Sequence, residues 1–412
     1  MATIKAFRGY RPAPGLAKDV ASLPYDVVST KEARELAGDN PRSFYHVGRP
    51  EIDLSDDVPV HDDRVYEQGR ANLYRLIEEG TLVRDDHAQL YLYQQRMDDH
   101  VQAGLVCLAS VREYENGRIK IHEHTRKEKE DDRTRHVTTQ NANAEPVFLT
   151  YRGRPGIDHI VDRVRSQKPA YDFVSEDGIA HTVWTIPEEE DVAALVKAFE
   201  SVEALYVADG HHRTAAAVRH GQAMRAENPG GTGDEPYEFF MAVLFPDDQL
   251  QILDYNRVVR DLNGLSVDEF LAGVRERFDV ETAHSPKPAK PGTFGMYLEG
   301  NWYTLRAKDG TFPKDDPVNR LDAAILQNNL LAPVLGITDP RTDKRIDFVG
   351  GVRGIKELVR RCREGEALAF AMYPTSLEQL MAVADAGRVM PPKSTWFEPK
   401  LRSGLVVRLI ED

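Results

Sequence analysis

The residues best suited to chemistry lie where an apolar stretch changes into an alanine-rich one. The stretch reads ALYVADGHHRTAAA and covers residues 204–217. Its apolar half predicts a buried strand, Asp-Gly predicts a turn, and the alanines predict a helix. Free N–H groups and the helix dipole at such an N-terminus attract anions, and an arginine there adds a paired donor suited to phosphate. The residues placed at this terminus are Gly210, His211, His212 and Arg213.

Asp209 ends the predicted strand directly before that turn. Its carboxylate could hold Mg²⁺ or take a proton from a hydroxyl. The plainer interpretation is a strand–turn–helix connection in which Asp209 caps the helix. Four polar, ionisable residues in one turn favour the functional interpretation.

A second segment, IHEHTRKEKEDDRTRH, covers residues 121–136. If residues 118–121 form a strand, His122 and His124 share one face and Glu123 lies on the other. Two histidines in this spacing could form a metal site with nearby carboxylates. Arg126 opens a charge run that is more simply a solvated helix.

A third segment, GRVMPPKSTWFEPK, covers residues 387–400. Its two prolines predict a rigid loop that presents polar side chains to an anion or substrate. These side chains are Lys393, Ser394 and Thr395, with Lys400 close behind. A structured loop with incidental lysines is the alternative.

A fourth segment, LPYDVV, covers residues 23–28, and Pro24 keeps Leu23 extended. Asp26 in this segment either contributes to a site or caps a turn.

Short β-branched or aromatic runs alternate irregularly with helix-like segments along the chain. The predicted strands are 89–94, 105–111, 118–121, 147–151, 182–186, 205–208, 239–245, 251–255, 293–298, 302–305, 368–373 and 405–410. This order favours an α/β or α+β protein built on a mixed sheet. We place a boundary between residues 1–262, a core with N-terminal elements, and residues 263–412, a C-terminal α/β part that contributes to the same site.

Several helices carry their own start signals. Capping boxes are predicted at Ser29 with Glu32, at Ser266 with Glu269, and at Thr375 with Glu378. Asp316 followed by Pro317 predicts the start of a helix over residues 321–335.

The chain of 412 residues has 53 Lys and Arg against 67 Asp and Glu, a formal charge of −14. This charge argues against nonspecific binding of nucleic acid or an anionic membrane, since both depend on excess Lys and Arg. Cys107 and Cys362 lie far apart, which fits a reducing compartment and excludes a cysteine zinc site. No secretory signal or bilayer-spanning run is visible. We therefore expect a cytoplasmic protein whose charged partners are small anions.

Taken together, these segments resemble the bacterial domain-of-unknown-function 1015 family, often labelled ParB-like. The matching segments are LPYDV at 23–27, HEHT at 122–125 with Arg133, DGHHR at 209–213, Asn256-Arg257, and MPPKSTWFEPK at 390–400. The resemblance covers essentially the full length. Residues 210–216 are also similar to the G-x-x-R-x-x-A phosphate-binding motif of the ParB/sulfiredoxin superfamily. This implies a ParB/sulfiredoxin-like phosphate-binding core with additional N- and C-terminal α/β elements.

Within that superfamily, the DGHHR form looks most like the free serine kinases, which move phosphate between a nucleotide and the serine hydroxyl. The resemblance implies serine or phosphoserine as substrate, with Mg²⁺ and ADP or ATP. The sequence departs from partition proteins, because it has no recognisable helix-turn-helix and is acidic. It departs from sulfiredoxins because neither cysteine falls in the phosphate-binding turn.

Our leading hypothesis is a small-molecule phosphotransferase or phosphohydrolase acting on serine or phosphoserine. The phosphate or nucleotide would be bound by Gly210, His211, His212, Arg213 and Thr214. The catalytic residues would be Asp209, which is also the Mg²⁺ ligand, Glu123 as general base, and His212. The rest of the substrate would be held by Lys393, Ser394, Thr395, Lys400, Asp26 and Arg126. The alternatives are a non-catalytic nucleotide-binding switch, and a metal-dependent hydrolase using His122, Glu123 and His124.

Overall fold

The structure is a computed structural model that describes residues 1–410. Its strands are β1 (Ile4–Lys5), β2 (Tyr10–Pro12), β3 (Leu82–Arg84), β4 (Leu90–Met97), β5 (His100–Ser110), β6 (Ile119–Lys120), β7 (Ala142–Asn143), β8 (Val147–Tyr151), β9 (Tyr171–Val174), β10 (Ala180–Ile186), β11 (Leu205–Asp209), β12 (Phe239–Pro246), β13 (Gln251–Leu253), β14 (Tyr255–Val259), β15 (Phe278–Thr282), β16 (Thr293–Leu298), β17 (Asn301–Ala307), β18 (Ile346–Gly350), β19 (Leu368–Ala371), β20 (Trp396–Glu398) and β21 (Arg408–Leu409).

The α-helices are α1 (Ala17–Val20), α2 (Thr30–Ala37), α3 (Tyr45–Gly48), α4 (Asp63–Glu78), α5 (Val111–Glu115), α6 (Lys127–Gln140), α7 (Pro155–Arg165), α8 (Glu189–Phe199), α9 (His211–Glu227), α10 (Val267–Arg277), α11 (Asp322–Leu326), α12 (Gly354–Arg363) and α13 (Leu377–Asp385). None of the helices in residues 1–410 combines the length and the apolar character needed to cross a membrane.

The chain divides into two compact units. The first contains Met1–Leu250 and the C-terminal residues from Pro399 onward, and the second contains Gln251–Glu398. This division differs from the boundary expected between residues 262 and 263. The reason is strand pairing, because β13 pairs with β20, and β14 pairs with β18 and β19. All of these strands belong to the second unit, which is thus an insertion in the first.

The first unit is built on a mixed nine-stranded sheet. Its strand order is β6-β11-β8-β12-β5-β4-β10-β9, with β1 pairing with β5. Two pairs, β11 with β6 and β12 with β8, are parallel, and the other pairs are antiparallel. All eight residues of β12 are buried, as expected of a strand covered on both faces. The predicted mixed α/β fold is therefore confirmed.

Helices α7 and α8 cover one face of this sheet. Ile157 and Phe199 from these helices pack in one apolar cluster with Leu149 and Leu244 of the sheet. Burial of each such side chain contributes roughly 1.5–3 kcal/mol, so this layer holds β8 and its neighbours in place.

The C-terminal segment of the chain returns along the first unit. Ser403 exchanges backbone hydrogen bonds with Ser22, and Val407 does so with Tyr10. Of the strand predicted over residues 405–410, only β21 is a strand, and it pairs with β7. This return brings Lys400 and Arg402 back to a unit whose other residues end at Leu250.

The second unit is built on a six-stranded antiparallel sheet with the order β15-β17-β16-β19-β14-β18. The predicted capping box at Ser266 and Glu269 is present, and Phe270 and Val274 of α10 are fully buried. The box at Ser29 and Glu32 in the first unit is present as well.

Two helices predicted in the second unit are present, but each begins later than predicted. The capping box predicted at Thr375 lies one residue later, at Ser376 with Gln379. Asp316 accepts hydrogen bonds from the amides of Val318 and Asn319 and so caps a turn, whereas the helix begins only at Asp322. Both errors are local, because Ser, Thr and Asp can cap turns as well as helices.

Candidate functional site

The turn between β11 and α9 has the predicted strand–turn–helix form. Gly210 separates the two elements with φ of +86°, a left-handed conformation that favours glycine. A Cβ at this position would lie 3.1 Å from Nε of Arg213. The Thr214 amide and hydroxyl both donate to the Gly210 carbonyl, at 2.9 and 3.0 Å. A Cβ at this position would therefore crowd the Arg213 guanidinium, which would have to shift by a few tenths of an ångström.

Gly210→Ala is accordingly expected to destabilise the protein by about 1–2 kcal/mol and to displace Arg213. Gly15→Ala is the matched control, since Gly15 has the same φ of +86° but no atom within 4 Å of an added Cβ. Chemical unfolding of both variants measures the strain, and anion binding measures the displacement. An anion affinity that falls equally in both variants would contradict the crowding of Arg213.

Asp209 ends β11 with both carboxylate oxygens engaged. Its Oδ2 lies 2.9 Å from Nζ of Lys400, and its Oδ1 accepts from the Gly210 amide at 2.8 Å. Burial alone would raise the pKa of Asp209, but the Lys400 ammonium and the Arg213 guanidinium hold this pKa well below its usual range. Asp209 is therefore an anion at physiological pH, paired with a residue 191 positions away.

Arg213 is only 8% exposed, yet its donors are incompletely used. Its Nη1 donates to the Pro146 carbonyl at 2.7 Å, and Nη2 lies 3.8 Å from Oδ2 of Asp26. Its buried Nε has no hydrogen-bond partner within residues 1–410. Burial would lower the pKa of Arg213, but Asp26, Glu145 and Asp209 keep the group charged. A charged guanidinium with a spare donor is suited to an anionic ligand.

The three histidines near this turn are neutral. Burial lowers the pKa of His122 to about 4 and that of His211 well below its ordinary value, and their rings pack edge to face at 4.5 Å. Burial also lowers the pKa of His212, whose Nε2 accepts from the Arg126 amide at 3.1 Å. Nδ1 of a neutral His212 then carries the proton and is a donor. These side chains therefore offer polar ring nitrogens to the site but contribute no positive charge.

Buried neutral histidines make stability depend on pH with a definite sign. His122 titrates near 6.5 when unfolded and near 4 when folded, so the unfolded chain takes up the proton first as pH falls. The free energy of unfolding is therefore expected to decrease from about pH 6.5 down to pH 4, by about 3 kcal/mol from His122. Urea unfolding of wild type and His122→Asn across this range tests it. Identical pH slopes in the two proteins would contradict a neutral His122.

The LPYD segment approaches the turn from a distant part of the sequence. The Tyr25 amide donates to Oε1 of Glu145 at 3.2 Å, and the Arg133 guanidinium lies 3.8 Å from the centroid of the Tyr25 ring. Oδ2 of Asp26 lies 3.8 Å from Nη2 of Arg213. The structure therefore brings together Asp26 and the residues around Asp209, all within the first unit.

Glu145 and Arg133 also belong to this cluster, although the sequence around them does not predict a site. Burial raises the pKa of Glu145, while Arg213 and Arg133 oppose that rise. Oε1 of Glu145 also accepts from the Ser403 hydroxyl at 3.1 Å. In a single sequence, the Glu145-Pro146 pair before β8 does not indicate a functional residue. The resemblance to the family, which includes Arg133, was the only available hint.

The HEHT segment lies outside regular structure, between β6 and α6. The expected strand over 118–121 is only the two-residue β6, so alternation does not set the directions of the two histidines. His122 is buried against His211, Glu123 is half-buried, and His124 is exposed. Within the described residues 1–410, no group of three or more His, Cys, Asp or Glu side chains could hold a metal ion.

Lys393, Ser394 and Thr395 belong to the second unit. Lys393 is exposed with φ of +57°, and its carbonyl accepts from Nη2 of Arg257 at 3.0 Å. The Ser394 hydroxyl donates to the Pro391 carbonyl at 2.6 Å, and the Ser394 carbonyl accepts from the Thr375 hydroxyl at 2.8 Å. The loop is thus fixed by its own hydrogen bonds, and its lysine is left to solvent and to the Tyr255 ring, 5.6 Å away.

Comparisons with known proteins agree with the resemblance at the level of the family. The model of the family described as "Protein of unknown function (DUF1015)" matches residues 4–324. No curated relative matches the chain.

Similar solved structures include a mutant free serine kinase in complex with ADP, at 13% identity and a TM-score of 0.36, covering 73% of this chain and 92% of that one. A conserved hypothetical protein from Pyrococcus furiosus has 13% identity and a TM-score of 0.34, with coverages of 73% and 95%. A C-terminally truncated SbnI from Staphylococcus aureus has 12% identity and a TM-score of 0.37, with coverages of 74% and 87%.

Proposed function

We propose that this chain, which belongs to the DUF1015 family of proteins of unknown function, is a small-molecule phosphotransferase or phosphohydrolase. Serine or phosphoserine is the proposed substrate, with ADP or ATP and Mg²⁺. The observation that carries the proposal is the state of Arg213 at the first turn of α9. Its guanidinium is buried and charged, and its Nε has no partner within residues 1–410. The similarity of residues 210–216 to the phosphate-binding motif of the ParB/sulfiredoxin superfamily supports the same role.

The charges of the cluster bear on how a phosphate would bind. Three cationic groups of the cluster each lie near a carboxylate: Arg133 near Asp132, Arg213 near Asp26, and Lys400 near Asp209. These three pairs leave no net positive charge for a phosphate, which carries nearly two negative charges. Phosphate affinity in this proposal therefore depends on cations outside these pairs, such as Arg126 and Lys129 or a bound metal ion.

Mg²⁺ fits that requirement. It commonly binds one or two carboxylates together with substrate phosphates, and Asp209 is a charged carboxylate at the strand end. When bound there, Mg²⁺ would neutralise charge on the transferred phosphate. Lys400 occupies Oδ2 of Asp209, so its ammonium would move from the carboxylate toward the phosphate.

The remaining roles follow from the donors that the chain presents. Positioning and charge neutralisation supply most of the catalysis in phosphoryl transfer. In this proposal the α9 amides, Arg213 and the Nδ1–H of His212 bind the phosphate, and Glu123 takes the proton of the attacking hydroxyl. The loop at Lys393, which hydrogen bonds hold in place, is proposed as an anion-binding element of the second unit.

The test is incubation of the protein with serine or phosphoserine, each with and without ADP, ATP and Mg²⁺, following free phosphate and nucleotide. We expect Mg²⁺-dependent phosphate release or transfer. Nucleotide binding without turnover of either serine compound would support the switch alternative and overturn the proposal. A stoichiometric amount of transition metal in protein prepared without chelator would also overturn the proposal. It would support the metal-dependent hydrolase instead.

A further inference from the structure

A cavity of about 540 Å³ lies in the first unit apart from the turn at Asp209. Its walls come from α1 and the residues after it, the end of α2, the chain before α3, the β9–β10 turn and the C-terminal segment. No residue of the 122–126 or 209–214 segments lines it. Its volume lies in the range of small-molecule sites, roughly 300–1,000 Å³.

Arg402 forms a charged part of the cavity wall. It is 6% exposed, and its Nη2 donates to the Ser175 hydroxyl at 3.2 Å and pairs with Asp177. Its Nε lies 3.3 Å from Nε2 of His181. These contacts engage two of its three nitrogens, and Nη1 has no partner among the described residues. Nη1 is not one of the fully buried polar atoms that lack a partner, so solvent in the cavity reaches it and an occupant of the cavity could accept its hydrogen bond.

Ser22 adds a second donor to the same wall. It is 4% exposed, and its backbone is fixed by the hydrogen bonds with Ser403. Its hydroxyl has no partner among residues 1–410. A guanidinium N–H and a hydroxyl are the donors that a carboxylate accepts well.

The rim of the cavity has the opposite charge. Four carboxylates line it against two cationic side chains, Lys18 and Arg402. Three of these carboxylates, Asp19, Asp39 and Glu176, form no ion pair in the described part of the chain. Such a rim favours a ligand that carries more positive than negative charge.

The cavity also has an apolar wall. Leu23 and Leu36 contribute to it, and Leu36 is one of the few large apolar side chains with high exposure, 49%. An aliphatic chain packed on Leu36 would remove that surface from water, at about 25 cal/mol for each Å² buried.

We propose that this cavity binds a free amino acid with a cationic side chain. The α-carboxylate binds Nη1 of Arg402 and the Ser22 hydroxyl, the aliphatic stem packs on Leu23 and Leu36, and the two cationic ends face the rim carboxylates. One carboxylate and two ammonium groups match the donors and acceptors of the wall. The inference does not depend on the proposed phosphotransfer, since the two sites share no residue.

Isothermal titration of the full-length protein with L-lysine tests this site. We expect lysine to bind at least 10-fold more tightly than L-norleucine, which lacks the side-chain ammonium, and than cadaverine, which lacks the carboxylate. Ser22→Ala and Asp39→Asn should each weaken lysine binding at least 5-fold. The control variant is Glu78→Gln, an exposed carboxylate on α4 outside the cavity, which should leave binding unchanged.

Absence of lysine binding, or equal binding of lysine and norleucine, would overturn the proposal. Lysine affinity unaffected by Ser22→Ala and Asp39→Asn in folded protein would overturn it too. Loss of lysine binding in Arg213→Lys would show that lysine binds at the Asp209 turn and not in this cavity. That result would also overturn the proposal. The lysine titrations can be interpreted even if the serine assays show no activity, because they measure binding and not turnover.

Discussion

Arg213→Lys is expected to slow phosphate transfer by about 100-fold or more, while the protein stays folded. The substitution keeps the positive charge but removes the planar pair of donors that binds phosphate. It also removes Nε, the buried donor without a protein partner. The measurement is the steady-state rate with phosphoserine or serine, together with the thermal midpoint of each protein.

Lysine is preferable to alanine at this position because Arg213 is structural as well. Its Nη1 holds the Pro146 carbonyl, so Arg213→Ala would leave a buried acceptor without its donor. Arg219→Lys is the matched control, since Arg219 lies on the same helix and pairs with Asp131 near the surface. A wild-type rate in folded Arg213→Lys would reject the assignment of this arginine to the phosphate.

Lys400→Met is expected to destabilise the protein by about 3 kcal/mol at pH 7. It removes the ammonium from Asp209, whose side chain is 27% exposed, and leaves a carboxylate that burial disfavours. In the wild type the pKa of Asp209 is lowered, so its contribution to stability is present above its unfolded pKa of about 3.9 and is lost as pH falls below it. The deficit of Lys400→Met should therefore shrink in acid.

A double-mutant cycle isolates this pair. Asp209→Asn removes the charge that Lys400 compensates, so adding Lys400→Met to Asp209→Asn should cost much less than Lys400→Met alone. Urea unfolding of the four proteins at pH 7 and at pH 3, which lies below the unfolded pKa of Asp209, provides the comparison. Additive losses at pH 7 would show that the 2.9 Å contact contributes no coupling energy.

Several features followed from the sequence alone because their signals are local. The strand, turn and helix over residues 205–227 depend on an apolar run, an Asp-Gly pair and an alanine-rich run that are adjacent in the chain. The capping boxes at Ser29 and Ser266 are local in the same way. Where two adjacent residues could both serve as the N-cap, as at Thr375 and Ser376, the predicted helix start was wrong by one residue.

The composition of the cluster around Asp209 was decided by tertiary structure. Lys400 reaches Asp209 only because the chain inserts a second unit and then returns, and no local pattern encodes that return. Glu145 and Tyr25 meet across 120 positions through a hydrogen bond from the Tyr25 amide to the Glu145 carboxylate. The neutral state of His211 also comes from tertiary packing, since burial by distant segments sets its pKa. Residue types and spacing thus indicated an anion site at the DGHHR turn, whereas long-range packing determined which charges surround it.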